Sequence, residues 1–252
     1  MKKIFTLLLC VALLASMLSL VSCQQDIDDG PKYSETLNGK TPEELYEFSQ
    51  EKLKQATSYS VQTTQVIEMT YGGESYTMNQ TVESKVNGDN SYSKSNNDMD
   101  SMASFESWYV DGICYTKMYG YKFKTAISKD EYMEEYMEVD PSESTLLDIP
   151  ESWFENVKFE KVGNDNVLKF VVSGDKYTEL FGNVGLGAVS IVGDVDYSIY
   201  FDDAGNLNKL VSIFDMMLEG VSAHCESVSI ITIGAVTITP PSDASSYEWV
   251  DL

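Results

Sequence analysis

The sequence predicts a mainly β, α+β protein built on one large curved antiparallel sheet of about eleven strands. We expect a half-barrel with two or three short helices on its concave side. Long segments alternate apolar and polar residues with the period of two that is typical of half-buried strands. Glycine-containing turns separate these segments, as in β-hairpins. Only two segments begin with a capping box, so the helices are too few to cover the apolar face unless the sheet curls around them.

The chain begins with a segment that is typical of exported proteins. Two lysines precede an apolar run over residues 4–21, which ends in Leu20-Val21-Ser22-Cys23. A charged start, an apolar run and small residues at its end are the features of a secretory signal. The last four residues resemble the bacterial lipobox, which implies cleavage before Cys23 and a lipid on its sulfur. We therefore expect residues 1–22 to be a lipoprotein signal peptide. The lipid would anchor the mature protein on the extracytoplasmic face of the cell membrane, although the run is also near the lower length limit of a spanning helix.

The folded part is expected to begin with a helix. Residues 23–40 comprise the lipidated cysteine and a polar, acidic tether, and residues 41–252 form a single half-barrel-like domain. Thr41-Pro42-Glu43-Glu44 is a capping box with proline at the first helical position. It predicts an amphipathic helix over residues 42–56.

The first strands follow directly. Residues 59–71 alternate, with five apolar side chains on one face: Tyr59, Val61, Ile67, Met69 and Tyr71. Gly72-Gly73 predicts a hairpin turn, and the return strand carries Tyr76, Met78, Val82 and Val86 on one face. Shorter strands are predicted near residues 104–110, 113–118 and 121–126. The sheet formed in this way is half-buried, with one wet face.

A second capping box, Ser128-Lys129-Asp130-Glu131, predicts another helix with Tyr132, Met133, Tyr136 and Met137 on one side. A short helix is predicted near residues 175–181. The remaining segments alternate as strands, and Pro240-Pro241 stops the last of them. These predicted strands cover residues 156–162, 166–173, 189–201, 207–218 and 220–238.

Composition excludes one class of partner. The formal net charge of −23 becomes −25 once Lys2 and Lys3 leave with the leader, and all 17 basic residues are lysine. An acidic surface repels phosphate backbones, and the chain lacks the arginine fork that recognises phosphate best. We therefore expect no nucleic-acid binding.

Two cysteines remain in the mature domain, Cys114 and Cys225, because Cys10 lies in the leader and Cys23 carries the lipid. An even pair in an exported protein permits a disulfide. Two buried, reduced thiols that pack as small apolar groups are the alternative. The sequence leaves both open.

Catalytic motifs are incomplete. His224 is the single histidine, which excludes zinc sites built on two or three histidines. Its neighbour Cys225 would point to the opposite face of a strand, so the two cannot form a catalytic pair. Two S-x-x-K matches lack the partner motifs of penicillin-recognising enzymes. We expect no enzyme, no catalytic residue, no metal site and no cofactor.

The order of features resembles the lipoprotein-carrier fold of the LolA, LolB and LppX type. A lipobox, a polar tether, a capped helix with Glu43-Glu44-Leu45 and long hairpins come in that order. Tyr109-Val110-Asp111-Gly112 with Tyr115, and Val157-Lys158-Phe159 leading to Val171, extend the match over most of residues 41–240. In that family the space between sheet and helices commonly holds acyl chains.

The resemblance implies a ligand-binding lining made of Tyr59, Val61, Ile67, Met69, Met78, Val82, Phe123, Tyr132, Met133, Tyr136, Met137, Ile191, Tyr197 and Ile199. Methionine and aromatic side chains repack readily around a greasy ligand. The predicted function is a membrane-anchored, monomeric binding module for a lipid or other amphiphile. The alternative is a structural or protein-interaction lipoprotein whose core is filled and holds no ligand.

Overall fold

The computed structural model describes residues 37, 39–99, 104–132, 149, 151–163, 165–177, 189–218 and 220–250. The signal peptide, Cys23 and most of the predicted tether lie outside these residues. The strands are β1 (Ser58–Tyr71), β2 (Glu74–Asn87), β3 (Asn90–Asn97), β4 (Phe105–Val110), β5 (Ile113–Met118), β6 (Tyr121–Ala126), β7 (Glu155–Val162), β8 (Asp165–Ser173), β9 (Val189–Phe201), β10 (Leu207–Leu218), β11 (Val221–Ile233) and β12 (Glu248–Trp249). The described helices include α1 (Pro42–Lys54) and α2 (Lys129–Tyr132), with single 3-10 turns at Glu151–Trp153 and Ala244–Ser246. Residues 174–177 are helical too, at the start of the helix predicted near 175–181, whose remaining residues lie outside the described ranges.

All twelve strands belong to one open, curved sheet in the order β12-β6-β5-β4-β3-β2-β1-β11-β10-β9-β8-β7. β1 to β6 form one meander and β7 to β11 form a second. The two meanders meet where β1 pairs antiparallel with β11, from Tyr59 opposite Ile233 to Thr70 opposite Ser222. The predicted fold class is therefore confirmed, with twelve strands in place of about eleven.

Local backbone features explain how the sheet turns and bends. Gly72 and Gly73 both have positive φ, as a tight hairpin turn between two twisted strands requires. The β7–β8 pairing shifts register next to Asn156, whose φ is +53°. The β9–β10 pairing shifts near Gly193, whose φ is +78°. Such bulges bend a strand and increase its twist, so they help the sheet to curl.

The core lies on the concave face, and α1 packs against it. The predicted capping box forms: the Glu44 amide donates to Thr41 Oγ1 (3.2 Å), and the Thr41 amide donates to Glu44 Oε2 (2.8 Å). Leu45, Tyr46 and Leu53 are buried in the same cluster as the concave side chains of β1, β2 and β8 to β11. The short helix α2 belongs to the same face farther along, where Tyr132 stacks on Tyr109 of β4.

Two strands are additions to the sequence prediction. β3 is made almost entirely of polar residues, and β12 is only two residues long and pairs parallel with β6. The segment after β11 crosses to the convex face, where the Tyr247 ring meets Trp108 and Tyr115 edge-on. The last long strand also ends earlier than predicted, at Ile233, because Gly234 leaves the extended region with a φ of +147°.

The end of the predicted tether is part of the folded domain. Leu37 and Lys40 exchange two backbone hydrogen bonds of 2.9 and 3.0 Å, and Leu37 packs against the core cluster. The Lys40 ammonium lies 4.7 Å from the centre of the Phe48 ring. Leu37 and Lys40, at the end of the predicted tether, therefore contact the folded part.

The disulfide that the sequence left open is absent, and Cys114 and Cys225 are buried free thiols. Cys114 lies on β5 and Cys225 on β11, with β4, β3, β2 and β1 between them. Five strand spacings of about 4.8 Å give roughly 24 Å along the sheet. A disulfide needs Cα atoms within about 7 Å of each other.

No helix within the described ranges is long and apolar enough to cross a membrane.

Candidate functional site

The concave face of the sheet brings together most of the predicted lining residues. Strand pairing places Met78 opposite Ile67 and Tyr76 opposite Met69, so the apolar rows of β1 and β2 continue one another. Seven predicted residues are buried in one cluster, and Tyr59 packs at its edge. The seven are Val61, Ile67, Met69, Met78, Ile191, Tyr197 and Ile199.

The other predicted lining residues are placed differently. Tyr132 lies in a second, smaller cluster with Tyr109, Cys114 and Ile127. Val82 and Phe123 are only half-buried, and Phe123 borders a groove of about 780 Å³ between β6 and the C-terminal segment. Met133, Tyr136 and Met137 lie outside the described residues. The predicted residues that the structure describes therefore lie in or beside two clusters, with Val82 and Phe123 at half-buried positions.

Beneath α1 the cluster is closely packed by aromatic rings. The Phe154 and Phe170 rings stack with centroids 3.8 Å apart, and the Phe170 and Tyr197 rings stack at 5.2 Å. The hydroxyls of Tyr197 and Tyr177 lie 2.7 Å apart in a hydrogen bond, and burial raises the pKa of Tyr197. This end of the concave face is filled by the protein's own side chains.

Tyr46 joins α1 to this filled end. Its hydroxyl donates to the carbonyl oxygen of Ile149 (3.1 Å) and accepts from the Ile149 amide (3.3 Å). Its ring meets Phe154 edge-on. The adjoining 3-10 turn brings Glu151 towards α1, and burial followed by the neighbouring Glu43 and Glu47 carboxylates raises the pKa of Glu151 to about 8.

Toward β6 the concave face is less completely covered. Five apolar side chains that register places on this face of β2 to β6 are half-buried: Val82, Val86, Phe105, Met118 and Phe123. On the same strands α2 covers Tyr109 and Cys114, which are buried. The concave face thus has a filled end under α1 and a partly open end near β6.

Sequence reasoning missed a set of polar side chains on the concave face. Thr63 and Gln65 of β1 share the face of Val61 and Ile67 and are buried, as are Ser227 and Ser229 of β11. The signal was available, since Thr63 and Gln65 continue the odd-numbered alternation between two apolar residues. A search restricted to apolar residues passes over them.

The residues considered for catalysis are kept apart. His224 lies on the convex face, where its Nδ1 is 2.7 Å from Asp215 Oδ1 and its Nε2 is 3.5 Å from Glu226 Oε1. Hydrogen bonding to Asp215 raises the pKa of His224. Burial raises the pKa of Cys225 to about 12, which suppresses the reactive thiolate. In the part of the chain that the structure covers, no three His, Cys, Asp or Glu side chains are grouped to hold a metal ion.

Comparisons with known proteins give distant likenesses. No family model and no curated protein matches the sequence. Among solved structures, LprF from Mycobacterium bovis is similar over 80% of this chain and 97% of its own, with 13% identity and a TM-score of 0.40. The lipoprotein LppX from Mycobacterium tuberculosis is similar over 79% of this chain and all of its own, with 10% identity and a TM-score of 0.39. A LolA superfamily protein from Nitrosomonas europaea covers 79% of this chain with 96% of its own, at 10% identity and a TM-score of 0.26.

Proposed function

We propose that this protein is a lipid-anchored, extracytoplasmic binding module for a lipid or another hydrophobic ligand. The anchor is the lipid on Cys23, and the ligand lies on the concave face between the filled end under α1 and the β6 edge. The leader sequence supports the anchor, since Leu20-Val21-Ser22-Cys23 has the residue types that lipidation requires. The partly open end of the concave face supports the proposal that a ligand binds there.

The main observation behind this proposal is that several apolar side chains on the concave face are only partly covered by the rest of the protein. Val82, Phe105 and Phe123 lie on the concave face at half-burial, whereas neighbouring core residues such as Met78 and Ile67 are fully buried. Ligand sites are concave, mostly apolar surfaces with a few polar groups, and this end of the face has both. We call these three half-buried side chains the apolar strip. Burial against them would stabilise a hydrocarbon chain, because each buried CH₂ contributes about 0.8 kcal/mol.

Probe binding tests the proposal. The protein without residues 1–22 and with Cys23→Ser is titrated with N-phenyl-1-naphthylamine, an uncharged dye that fluoresces in apolar sites. We expect saturable binding that Val82→Asp weakens by about tenfold or more, because a carboxylate would enter the apolar strip. Native mass spectrometry with lipid extraction should show a co-purifying lipid mass.

The matched control is Ile230→Asp. Ile230 is an exposed apolar residue on the convex face of β11, opposite Gln62. It receives the same carboxylate without touching the strip, so dye binding should stay at the wild-type level. Clean ligand-free protein that takes up no dye would overturn the proposed function.

The second candidate function is a structural or protein-interaction lipoprotein with a filled core. The stacked Phe154, Phe170 and Tyr197 rings under α1 favour it, because that end leaves no room for a ligand. Absence of dye uptake and of co-purifying lipid would select this alternative.

A further inference from the structure

A row of uncharged polar side chains crosses the middle of the concave face. Strand pairing places Ser212 of β10 opposite Ser227 of β11, Ser227 opposite Gln65 of β1, and Gln65 opposite Gln80 of β2. We call these four residues the polar row. Their exposed fractions are 1%, 2%, 1% and 7%. With strands about 4.8 Å apart, the row spans roughly 14 Å.

Most hydrogen-bonding atoms of the polar row have no partner among the described residues. Gln80 Nε2 donates to Ser95 Oγ at 3.1 Å. Both amide atoms of Gln65, Oε1 of Gln80 and the hydroxyls of Ser212 and Ser227 are buried and unpaired. The next pair along β1 and β11 behaves differently, because Thr63 Oγ1 and Ser229 Oγ lie 2.8 Å apart in a hydrogen bond.

Five buried atoms without a hydrogen bond lie in this one row, which indicates that a bound molecule supplies their hydrogen-bonding partners. A buried donor or acceptor without a hydrogen bond costs about 1–3 kcal/mol, and native proteins rarely contain several together. Gln65 alone presents both an amide donor and a carbonyl acceptor, and each serine hydroxyl can do either. The partner therefore needs several donors and acceptors of its own, arranged along the row.

The surroundings of the polar row define the chemistry of that partner. The row holds no charged side chain, so it offers no counter-ion to a phosphate, carboxylate or ammonium group. Apolar side chains lie on both sides: Ile67 and Met78 continue β1 and β2 in one direction, and Val61 lies in the other. These three side chains are buried, whereas Val82, which follows Gln80 on the same face of β2, is half-buried and would let a bound molecule reach the row.

We infer that the polar row binds the hydroxyl and ester groups of an uncharged amphiphile, with its hydrocarbon lying on the half-buried apolar side chains that begin at Val82, next to Gln80 on the same face of β2. This inference rests on the proposed function and narrows its ligand class to neutral lipids of the monoacylglycerol type. Gln65 is the central specificity residue, because it lies mid-row and both of its amide atoms are free.

Competition between two ligands tests the inference. N-phenyl-1-naphthylamine bound to the protein without residues 1–22 and with Cys23→Ser is displaced by monomyristoylglycerol or by tetradecane, which lacks the polar head. We expect the wild-type protein to favour monomyristoylglycerol by at least tenfold. Gln65→Leu should remove most of that preference, because leucine keeps the volume but not the amide.

Two further variants keep the result interpretable. Gln62→Leu makes the same change three residues earlier, on the exposed convex face of β1, and should preserve the preference. Ser227→Ala removes a single hydroxyl from the row and should reduce the preference about threefold, even if Gln65→Leu folds poorly.

Each outcome is decisive. If the wild-type protein binds dye but both ligands compete equally, or if Gln65→Leu and Ser227→Ala leave the preference intact, the polar row binds only water, and the inference is wrong while the proposed function stands. If the wild-type protein binds none of the three molecules, the proposed function falls and the inference falls with it.

Discussion

Single side chains in this protein take their chemistry from the face of the strand on which they lie. His224 and Cys225 are adjacent in sequence, yet the imidazole meets Asp215 on the convex face and the thiol is buried in the core. The same rule places Gln62 in solvent and Gln65 in the interior. A residue's identity therefore says little about its role until its face is known.

Glu151 provides a test of the structure at this scale. Burial, and then the nearby Glu43 and Glu47 carboxylates, raise the pKa of Glu151 from 4.5 to about 8. Between these values the unfolded chain releases the proton while the folded chain retains it, so the folded state loses stability as pH rises from 4.5 to 8. We expect Glu151→Gln to lessen this loss and to raise the free energy of unfolding at pH 8.5 relative to the wild type.

Urea denaturation at pH 4, 6 and 8.5 measures the effect. At pH 4 the glutamine resembles the protonated acid, so the two proteins should differ least there. Glu155→Gln removes an exposed carboxylate four residues away and should follow the wild-type pH profile. If the free energy of unfolding changed equally with pH in the wild type and in Glu151→Gln between pH 4 and 8.5, the buried placement of Glu151 would be contradicted.

At the scale of elements, the predicted strands were those with one consistently apolar face. β1, β2, β9, β10 and β11 carry enough apolar alternation to predict their extent to within a few residues, apart from the end of β11. β3 was not predicted, because its concave positions are Ser91, Ser93 and Ser95 and neither of its faces has an apolar pattern. It forms because β2 and β4 supply hydrogen-bonding edges on both sides, which is a property of the sheet.

The candidate site was predictable to a similar degree. Apolar periodicity found the cluster around Ile67 and Met78, but the separation of Tyr132 into a second cluster depends on strand order. Strand order follows from which strands pair, and β1 pairs with a strand more than 150 residues away. The polar row likewise exists only once β10, β11, β1 and β2 lie side by side.

The attachment of α1 gives a prediction at the element scale. Tyr46 satisfies both backbone groups of the buried Ile149 while its ring packs on Phe154. Tyr46→Phe keeps the ring and removes both hydrogen bonds, so we expect about 1–3 kcal/mol less unfolding free energy. Tyr71→Phe, at an exposed position on the first hairpin, is the matched control and should stay within about 0.5 kcal/mol of the wild type. Chemical denaturation of both variants measures the difference, and equal losses would show that Tyr46 contributes through its ring alone.

For the whole molecule, charge and anchoring are complementary. Without residues 1–22 the chain carries a formal charge of −25 and no arginine, which disfavours electrostatic attraction to an anionic lipid surface. Acidic side chains such as Glu83, Asp215 and Glu226 lie on the convex face of the sheet. The proposed lipid on Cys23 would supply the proximity to lipid that these charges do not.

Metabolic labelling with an alkyne analogue of palmitate in a bacterial host tests this directly. We expect the full-length wild-type protein to be labelled and its mature form to begin at Cys23, since thioether lipid and cleavage both depend on that thiol. Cys23→Ser should be unlabelled. Cys10→Ser makes the same substitution within the apolar leader and should be labelled like the wild type, which separates loss of the lipidated thiol from a general effect on export. Label on Cys23→Ser, or none on the wild type, would mean that the leader attaches the domain in another way. Two acyl chains hold a protein stably where one holds it marginally, so a labelled protein should also resist extraction by high salt and leave the membrane only with detergent.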